Sequence, residues 1–408
     1  MKTRATTPAV TAAASAAGLD GDTFDWLPPE IFYAQILLKV ELADRLTCAI
    51  AVCKSWRTLQ KEPSLWRDIR VRQSADQIII VDGIEKPLDD DDLVVDDAGL
   101  ERLLNTIDAS NVRRFRSYVS DHALSLSSEG IKHALSRFTQ LDGLDLSGSC
   151  ASLSRISDLL RHAIQQPWIQ TLKELILYEH APLMDSMALA SACVNLESLT
   201  AEPRVMTASN LTALASAWSE ARGAPPALKQ IRMYGIATVH LQNLVSVGSL
   251  FPALETLYLS PFAFDLTTAM APMNSLLHLI IDRLFDEDDG HTMATTEGME
   301  ATIRAMLTAS PNLQTFQLLH GESKGNPRSA YPGVGTSLTL LPRTLERLYL
   351  SDVTLLRADD IDGAALPNLK FLTMLRCGAA SIEIETRLIA QCPKLRWQTC
   401  CVSVHYCG

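Results

Sequence analysis

Residues 400–407, "CCVSVHYC", hold the chain's densest set of soft metal ligands. If the segment is extended, Cys401, His405 and Cys407 share one face, and zinc accepts thiolate and imidazole. A structural zinc site needs a fourth ligand, which the segment lacks, so core packing at the chain's end is the expected role. A second cluster, "FDEDDGHTMATTE", has the look of a Ca²⁺ loop. With Gly290 in the sixth place, Phe285 falls first and Thr296 twelfth, and neither can ligate there. In "LDDDDL", Asp89 to Asp92 follow one another without the alternation around a tight turn that Ca²⁺ requires, so a solvated loop is expected. Lys324, within "HGESKGNPRSAYPGVG", is outside any phosphate-loop frame, and no nucleophile elbow, H-E-x-x-H or paired CxxC occurs. The sequence therefore predicts no catalytic residue, no metal and no cofactor, and a chain that is not an enzyme.

The bulk properties narrow the partners. Apolar residues are 47% of the 408, charged residues 20%, and the net charge is −11. A large core is available. Duplex nucleic acid and an anionic membrane surface are disfavoured, since both reward clustered Lys and Arg. No window approaches eighteen uninterrupted apolar residues, so no membrane span is expected. The nine cysteines are odd in number and lie mostly in apolar runs, as reduced thiols in the cytoplasm or nucleus would. Between residues 76 and 108, eleven acids face only Lys86 and Arg102.

What must position any functional residue is a repeat. L-x-x-L-x-L returns as "LDGLDL" at Leu141, "LKELIL" at Leu172, "LESLTA" at Leu196, "LKQIRM" at Leu228 and "LETLYL" at Leu254. It continues through "LHLII", "LQTFQL" at Leu313, "LERLYL" at Leu345, "LKFLTM" at Leu369 and "LRWQTC" at Leu395, with "VRRFRS" at Val112 as a degenerate first copy. Successive copies start 22 to 37 residues apart, around the leucine-rich-repeat period. The paired leucines point one way from a strand and the residues between them the other. Helical stretches such as "SEGIKHALSRF", "ISDLLRHAIQ", "NLTALASAW", "MEATIRAMLTAS" and "IETRLIAQC" lie between copies. One strand and one helix cannot close a core, so the units must stack, giving an α/β solenoid (a horseshoe) with a parallel inner sheet.

The inner face should carry the residues between and just after the leucines. These are Asp145, Ile176, Tyr178, Thr200, Arg232, Tyr234, Tyr258, Gln317, Tyr349 and Thr373. Tyr and Arg suit protein interfaces, being large and amphipathic. Tyr178, Arg232, Tyr234, Tyr258, Gln317 and Tyr349 are the candidate target-binding set. The plainer reading is that they solvate a sheet surface.

The head of the chain reads differently. Pro28 and Pro29 suit a helix's first turn, so a helix is expected over residues 28–38. A second is expected over 41–54, with Leu42, Leu46, Ala49, Ile50 and Cys53 on one face, and a third from Trp56 to before Pro63. Helices this short must dock on something. Leu27-Pro28-x-Glu30-Ile31, Ile36-Leu37, Asp44-Arg45-Leu46, Val52-Cys53-Lys54-x-Trp56-Arg57-x-Leu59 and Pro63-x-Leu65-Trp66 occur in order over residues 26–71. This set resembles an F-box, departing from it at "KVELAD", where the family often has a second Leu-Pro. The repeats, with phrases such as "SPNLQTF", "LPNLKFL" and "CPKLRW", resemble those of F-box/leucine-rich-repeat proteins.

The resemblance implies a substrate receptor of a Skp–cullin–F-box ubiquitin ligase. Leu27, Pro28, Glu30, Ile31, Val52, Cys53 and Trp56 would contact the Skp adaptor and, through it, cullin. The repeats would hold an unknown protein target. The expected layout is a disordered tail at 1–23 (or a transit peptide), an F-box at 24–71, an acidic linker with a first degenerate repeat at 72–111, and the repeat domain at 112–408. A non-catalytic scaffold or GTPase-regulating repeat protein, whose head is only a cap, is the alternative.

Overall fold

The computed structural model describes residues 67–72, 80–81, 84–85, 93–94, 97–117, 126–146, 153–177, 182–202, 205–240, 244–263, 270–282, 296–319, 340–351, 366–375, 390 and 392–401. They divide into two compact units at Leu141/Asp142.

In the first unit, β1 (Asp68–Arg72) lies between β4 (Leu93–Val94) and β5 (Arg114–Ser117), parallel to both. The short strands β2 (Ile80–Val81) and β3 (Ile84–Glu85) form an antiparallel pair. Helices α1 (Asp97–Thr106) and α2 (Ser128–Arg137) pack together, burying Leu100, Leu103 and Leu104 with Ile131, Ala134 and Leu135. Phe138, just past α2, meets Phe115 of β5 with ring centroids 5.1 Å apart. Parallel pairing thus begins at Asp68, upstream of the Val112 copy at which the sequence starts the array. "DIRVR" lacks the paired leucines that mark later copies, yet it buries Ile69.

Asp97 fixes the start of α2. Its Oδ1 accepts from the Ser127 amide at 2.8 Å and its Oδ2 from the Ser127 hydroxyl at 2.6 Å. Ser127 is itself the N-cap, accepting from the Gly130 amide at 3.1 Å. This satisfies a donor that the helix's own ladder cannot reach. One member of the acidic stretch is therefore a structural clamp.

The second unit is an α/β leucine-rich-repeat solenoid. Its strands are β6 (Gly143–Asp145), β7 (Glu174–Ile176), β8 (Ser198–Ala201), β9 (Gln230–His240), β10 (Thr256–Ala263), β11 (His278–Asp282), β12 (Thr315–Leu319), β13 (Arg347–Ser351), β14 (Phe371–Leu375) and β15 (Trp397–Cys401). Each is parallel to the next in sequence, without a crossover. Between strands run α3 (Leu153–Ile164), α4 (Leu183–Ala192), α5 (Ala208–Arg222), α6 (Val247–Leu250) and α7 (Thr296–Ala309). Thr296, the would-be last ligand of the Ca²⁺ loop, begins a helix instead.

The core is built by position. Leu144, Leu175, Leu199, Ile231, Leu257, Leu279, Phe316, Leu348 and Leu372 stand in register across the strands, and each is at most 2% exposed. The leucine three residues ahead of each closes the turn into the same core; Leu172, Leu228, Leu276 and Leu345 are fully buried. On the helical side, Trp218 of α5 donates from Nε1 to the Ala190 carbonyl of α4 at 3.0 Å and meets Phe251 edge-on at 6.1 Å. Helix α5 ends at Gly223, whose φ of 64° is the left-handed conformation that glycine adopts without a Cβ penalty.

Every repeat from β7 to β14 begins in the same way. One carbonyl of the preceding repeat accepts two successive amides: Asp142 from Lys173 and Glu174, Lys173 from Glu197 and Ser198, Glu197 from Lys229 and Gln230, Lys229 from Glu255 and Thr256. The pattern continues to Glu346, which accepts from Lys370 and Phe371. The side chains along this edge alternate in sign from Lys173 to Glu255. Glu197 takes Lys229 at 2.7 Å and Lys173 at 3.5 Å. Asparagines one residue ahead of the leucine add a second tie, as where Asn195 donates to the Gln170 carbonyl at 2.7 Å and Asn368 to that of Arg343 at 2.9 Å.

Candidate protein-binding surface

Strand alternation puts the remaining side chains on the face away from the core. Ile176, Thr200, Arg232 and Tyr258 are register partners on β7 to β10; Ile280, Gln317, Tyr349 and Thr373 extend the row through β14. Neighbours in such a row stand about 4.8 Å apart. Of the sequence-predicted set, Arg232 is exposed, while Tyr258, Gln317 and Tyr349 are half-buried in this single row. Tyr234 lies two residues further along β9, opposite Ser260, and is 42% exposed. Tyr178 lies outside the described residues, as do Leu27, Pro28, Glu30, Ile31, Val52, Cys53 and Trp56. Asp145, expected on the open face, is instead buried, which a carboxylate tolerates only with polar partners around it.

The register also assembles residues that the sequence reading passed over. Ile280 sits between Tyr258 and Gln317. Asp282 of β11 accepts a hydrogen bond from the Tyr258 hydroxyl at 2.7 Å. Burial, and then that bond and the Asp282 charge, push the Tyr258 hydroxyl well above its ordinary range. A parallel row two residues upstream holds His278, Thr315, Arg347 and Phe371. The Arg347 guanidinium lies over the Phe371 ring, 5.2 Å from its centroid. Burial, and then the Arg347 cation, hold His278 below the usual imidazole range, with Glu255 opposing. Carrying the alternation to the residue just ahead of each strand's leucine pair would have found this row.

Among the described residues no cluster of His, Cys, Asp or Glu could hold a metal ion, and no helix is long and apolar enough to cross a membrane. Cys400 and Cys401 lie in the last strand, and the rest of the tail lies outside the described residues. Cys193 and Cys392 are free thiols, both buried, and burial pushes the Cys193 thiol far up, so it stays protonated and unreactive. The rows offer neither a nucleophile–base pair nor a metal site among the described residues. They offer Tyr, Arg and aliphatic side chains on a parallel sheet, and Tyr and Arg are residue types enriched at the hot spots of protein interfaces.

The solenoid defines a leucine-rich-repeat protein. In sequence the chain is similar to F-box/LRR-repeat proteins of Arabidopsis thaliana. It is 50% identical to F-box/LRR-repeat protein 21 over 46 residues, 11% of this chain and 15% of that protein. It is 30% identical to F-box/LRR-repeat protein 9 over 116 residues, 28% of this chain and 46% of that one. The matches span less than half the length of these relatives. No family model matches the chain. Among solved structures, an internalin of Listeria monocytogenes is similar at 16% identity and a TM-score of 0.37, over 76% of this chain and 71% of that one.

Proposed function

We propose that this chain is the target-binding adaptor of a Skp–cullin–F-box ubiquitin ligase, acting in the cytoplasm or nucleus. The observation that carries the reading is the ordered motif set of residues 26–71 joined to a leucine-rich-repeat solenoid. The likeness to proteins named F-box/LRR-repeat supports it. Leu27, Pro28, Glu30, Ile31, Val52, Cys53 and Trp56 dock on the Skp adaptor. The rows around Arg232, Tyr258 and Tyr349 hold the target protein. The chain supplies proximity of the target to a charged conjugating enzyme and performs no bond chemistry.

The test is capture of the full chain on immobilised, purified Skp adaptor, with the bound fraction examined for cullin after incubation in lysate. Retention that is lost in the double variant Pro28→Asp, Trp56→Ala supports the proposal. No retention, or retention that survives the double variant, overturns it.

A further inference from the structure

Strands β7 to β14 are each hydrogen-bonded to a neighbour on both sides. Strand β15 comes last in the order of the sheet and, among the described residues, is paired on one side only, with β14. That pairing runs its whole length, from Phe371↔Trp397 to Leu375↔Cys401. Backbone groups of a strand alternate in direction, so β15 turns a row of amides and carbonyls away from β14 as well as toward it.

Proteins guard such edges with charge, proline or brevity. The outermost strand of the first unit, β4, is guarded twice. It is two residues long, and it directly follows Asp89 to Asp92. Strand β15 has no such guard. It has five residues, the same length as β11 to β14 inside the sheet. Residues 397–408, "WQTCCVSVHYCG", contain no Asp, Glu, Lys, Arg or Pro. Trp397, Thr399, Val402, Val404 and Tyr406 are of types that favour extended backbone.

We infer that the outer edge of β15 pairs antiparallel with the same edge of a second copy of this chain, with Thr399 at the two-fold axis. In that register Thr399 faces its own counterpart, Gln398 faces Cys400 and Trp397 faces Cys401. Arg396, the nearest charge, faces Val402. The two Arg396 positions stand about 20 Å apart along the paired strands, beyond the Debye length in physiological salt. No like charges oppose each other, so the edge is complementary to itself. A second copy fits better than a strand from another protein, because two-fold pairing uses up both edges, whereas a foreign strand would present a new open edge of its own. A five-residue edge makes a small interface, so the dimer is weak and forms in proportion to concentration. Its effect is to join two solenoids end to end and so to double the face that each presents.

The experiment is sedimentation velocity of the full chain over a concentration series under reducing conditions. The expected result is a reversible shift from monomer to dimer. Thr399 is the register partner of Thr373, which is half-buried in the open-face row, so a long polar side chain is tolerated at that position. Thr399→Lys and Thr399→Glu each set like charges against each other at the axis and should weaken dimerisation by at least about tenfold. An equimolar mixture of the two variants sets Lys against Glu and should dimerise again. Circular dichroism confirms folding. Where either variant fails to fold, hydrogen exchange of the parent decides: amides of residues 397–401 should gain protection as concentration rises. A parent that stays monomeric, association that reduction abolishes, variants that dimerise like the parent, a mixture that does not recover, or amides indifferent to concentration overturns the inference. The Skp adaptor and the target take no part, so the dimer and the ligase assignment fail or stand separately.

Discussion

The hydroxyl of Tyr258 on β10 donates to Asp282 on β11 at 2.7 Å, tying two strands together on the face turned away from the core. The ring is fixed across the strand boundary, and the carboxylate beneath it has a partner in a half-buried place.

Tyr258→Phe removes the donor and leaves Asp282 without this hydrogen bond, which should lower stability by about 1–2 kcal/mol in denaturant unfolding. The pH dependence has a definite sign. The folded-state hydroxyl titrates above its unfolded value, so its contribution is complete below about pH 10 and is lost as pH rises beyond that. Ultraviolet titration should show one fewer phenolate forming late in Tyr258→Phe than in the parent, and the variant should lose less stability at alkaline pH. Identical alkaline curves for the two proteins would count against the Tyr258 environment described.

Glu197 offers the opposite sign. Chiefly the hydrogen bond from Lys229, with Lys173 assisting, holds its carboxyl below the ordinary range. Its contribution is present above the unfolded value near pH 4 and disappears as pH falls through the lower folded value. These are exposed pairs, so Glu197→Gln should cost only about 0.5 kcal/mol at neutral pH and low salt, with the difference shrinking in high salt. Chemical denaturation at two ionic strengths and two pH values measures all of this.

Gly130→Ala should cost more, for a steric reason. A Cβ at Gly130 would run into the carboxylate of Asp97, whose two oxygens hold the Ser127 amide and hydroxyl. Either the clamp opens or α2 shifts, and a loss of about 1–3 kcal/mol is expected. Combining Gly130→Ala with Asp97→Ala removes the obstruction, so the double variant should be less damaged than the sum of the singles.

Trp218→Ala empties the space where α4, α5 and Phe251 meet and removes one of the two hydrogen bonds that the Ala190 carbonyl accepts, leaving that from the Cys193 amide. A loss of about 3–5 kcal/mol is expected, read as a lower thermal midpoint. Trp218→Phe keeps much of the volume and should fall between.

The solenoid was legible because its core asks the same question at every rung. Leu175, Leu199 and Leu257 occupy equivalent places, so one side-chain type recurs at a readable interval. Where that demand relaxes, the signal fades. Asp68–Arg72 joins the sheet without paired leucines. Helix α4 was passed over because "LMDSMALASA" carries no clear stripe; Leu183 and Met184 are 42% and 78% exposed. Strands β9 and β10 run on past the motif to His240 and Ala263, their register shifting between Ser260 and Phe262, and no leucine pattern marks that extension. On the candidate surface, Arg232, Tyr258, Gln317 and Tyr349 were found from alternation alone. Asp282 and the His278–Arg347–Phe371 row were not, because they stand one position outside the paired core residues, where no recurring residue type marks them.

The doubled amides at the head of each strand carry a further implication for how such a chain can diverge. Each new strand takes its height from a single carbonyl of its predecessor, so alignment is settled before the strand itself is laid down. Whatever follows the strand can then lengthen, shorten or change composition without sliding the sheet. Selection is left free to remodel one rim of the molecule while the lattice that presents the face stays where it was.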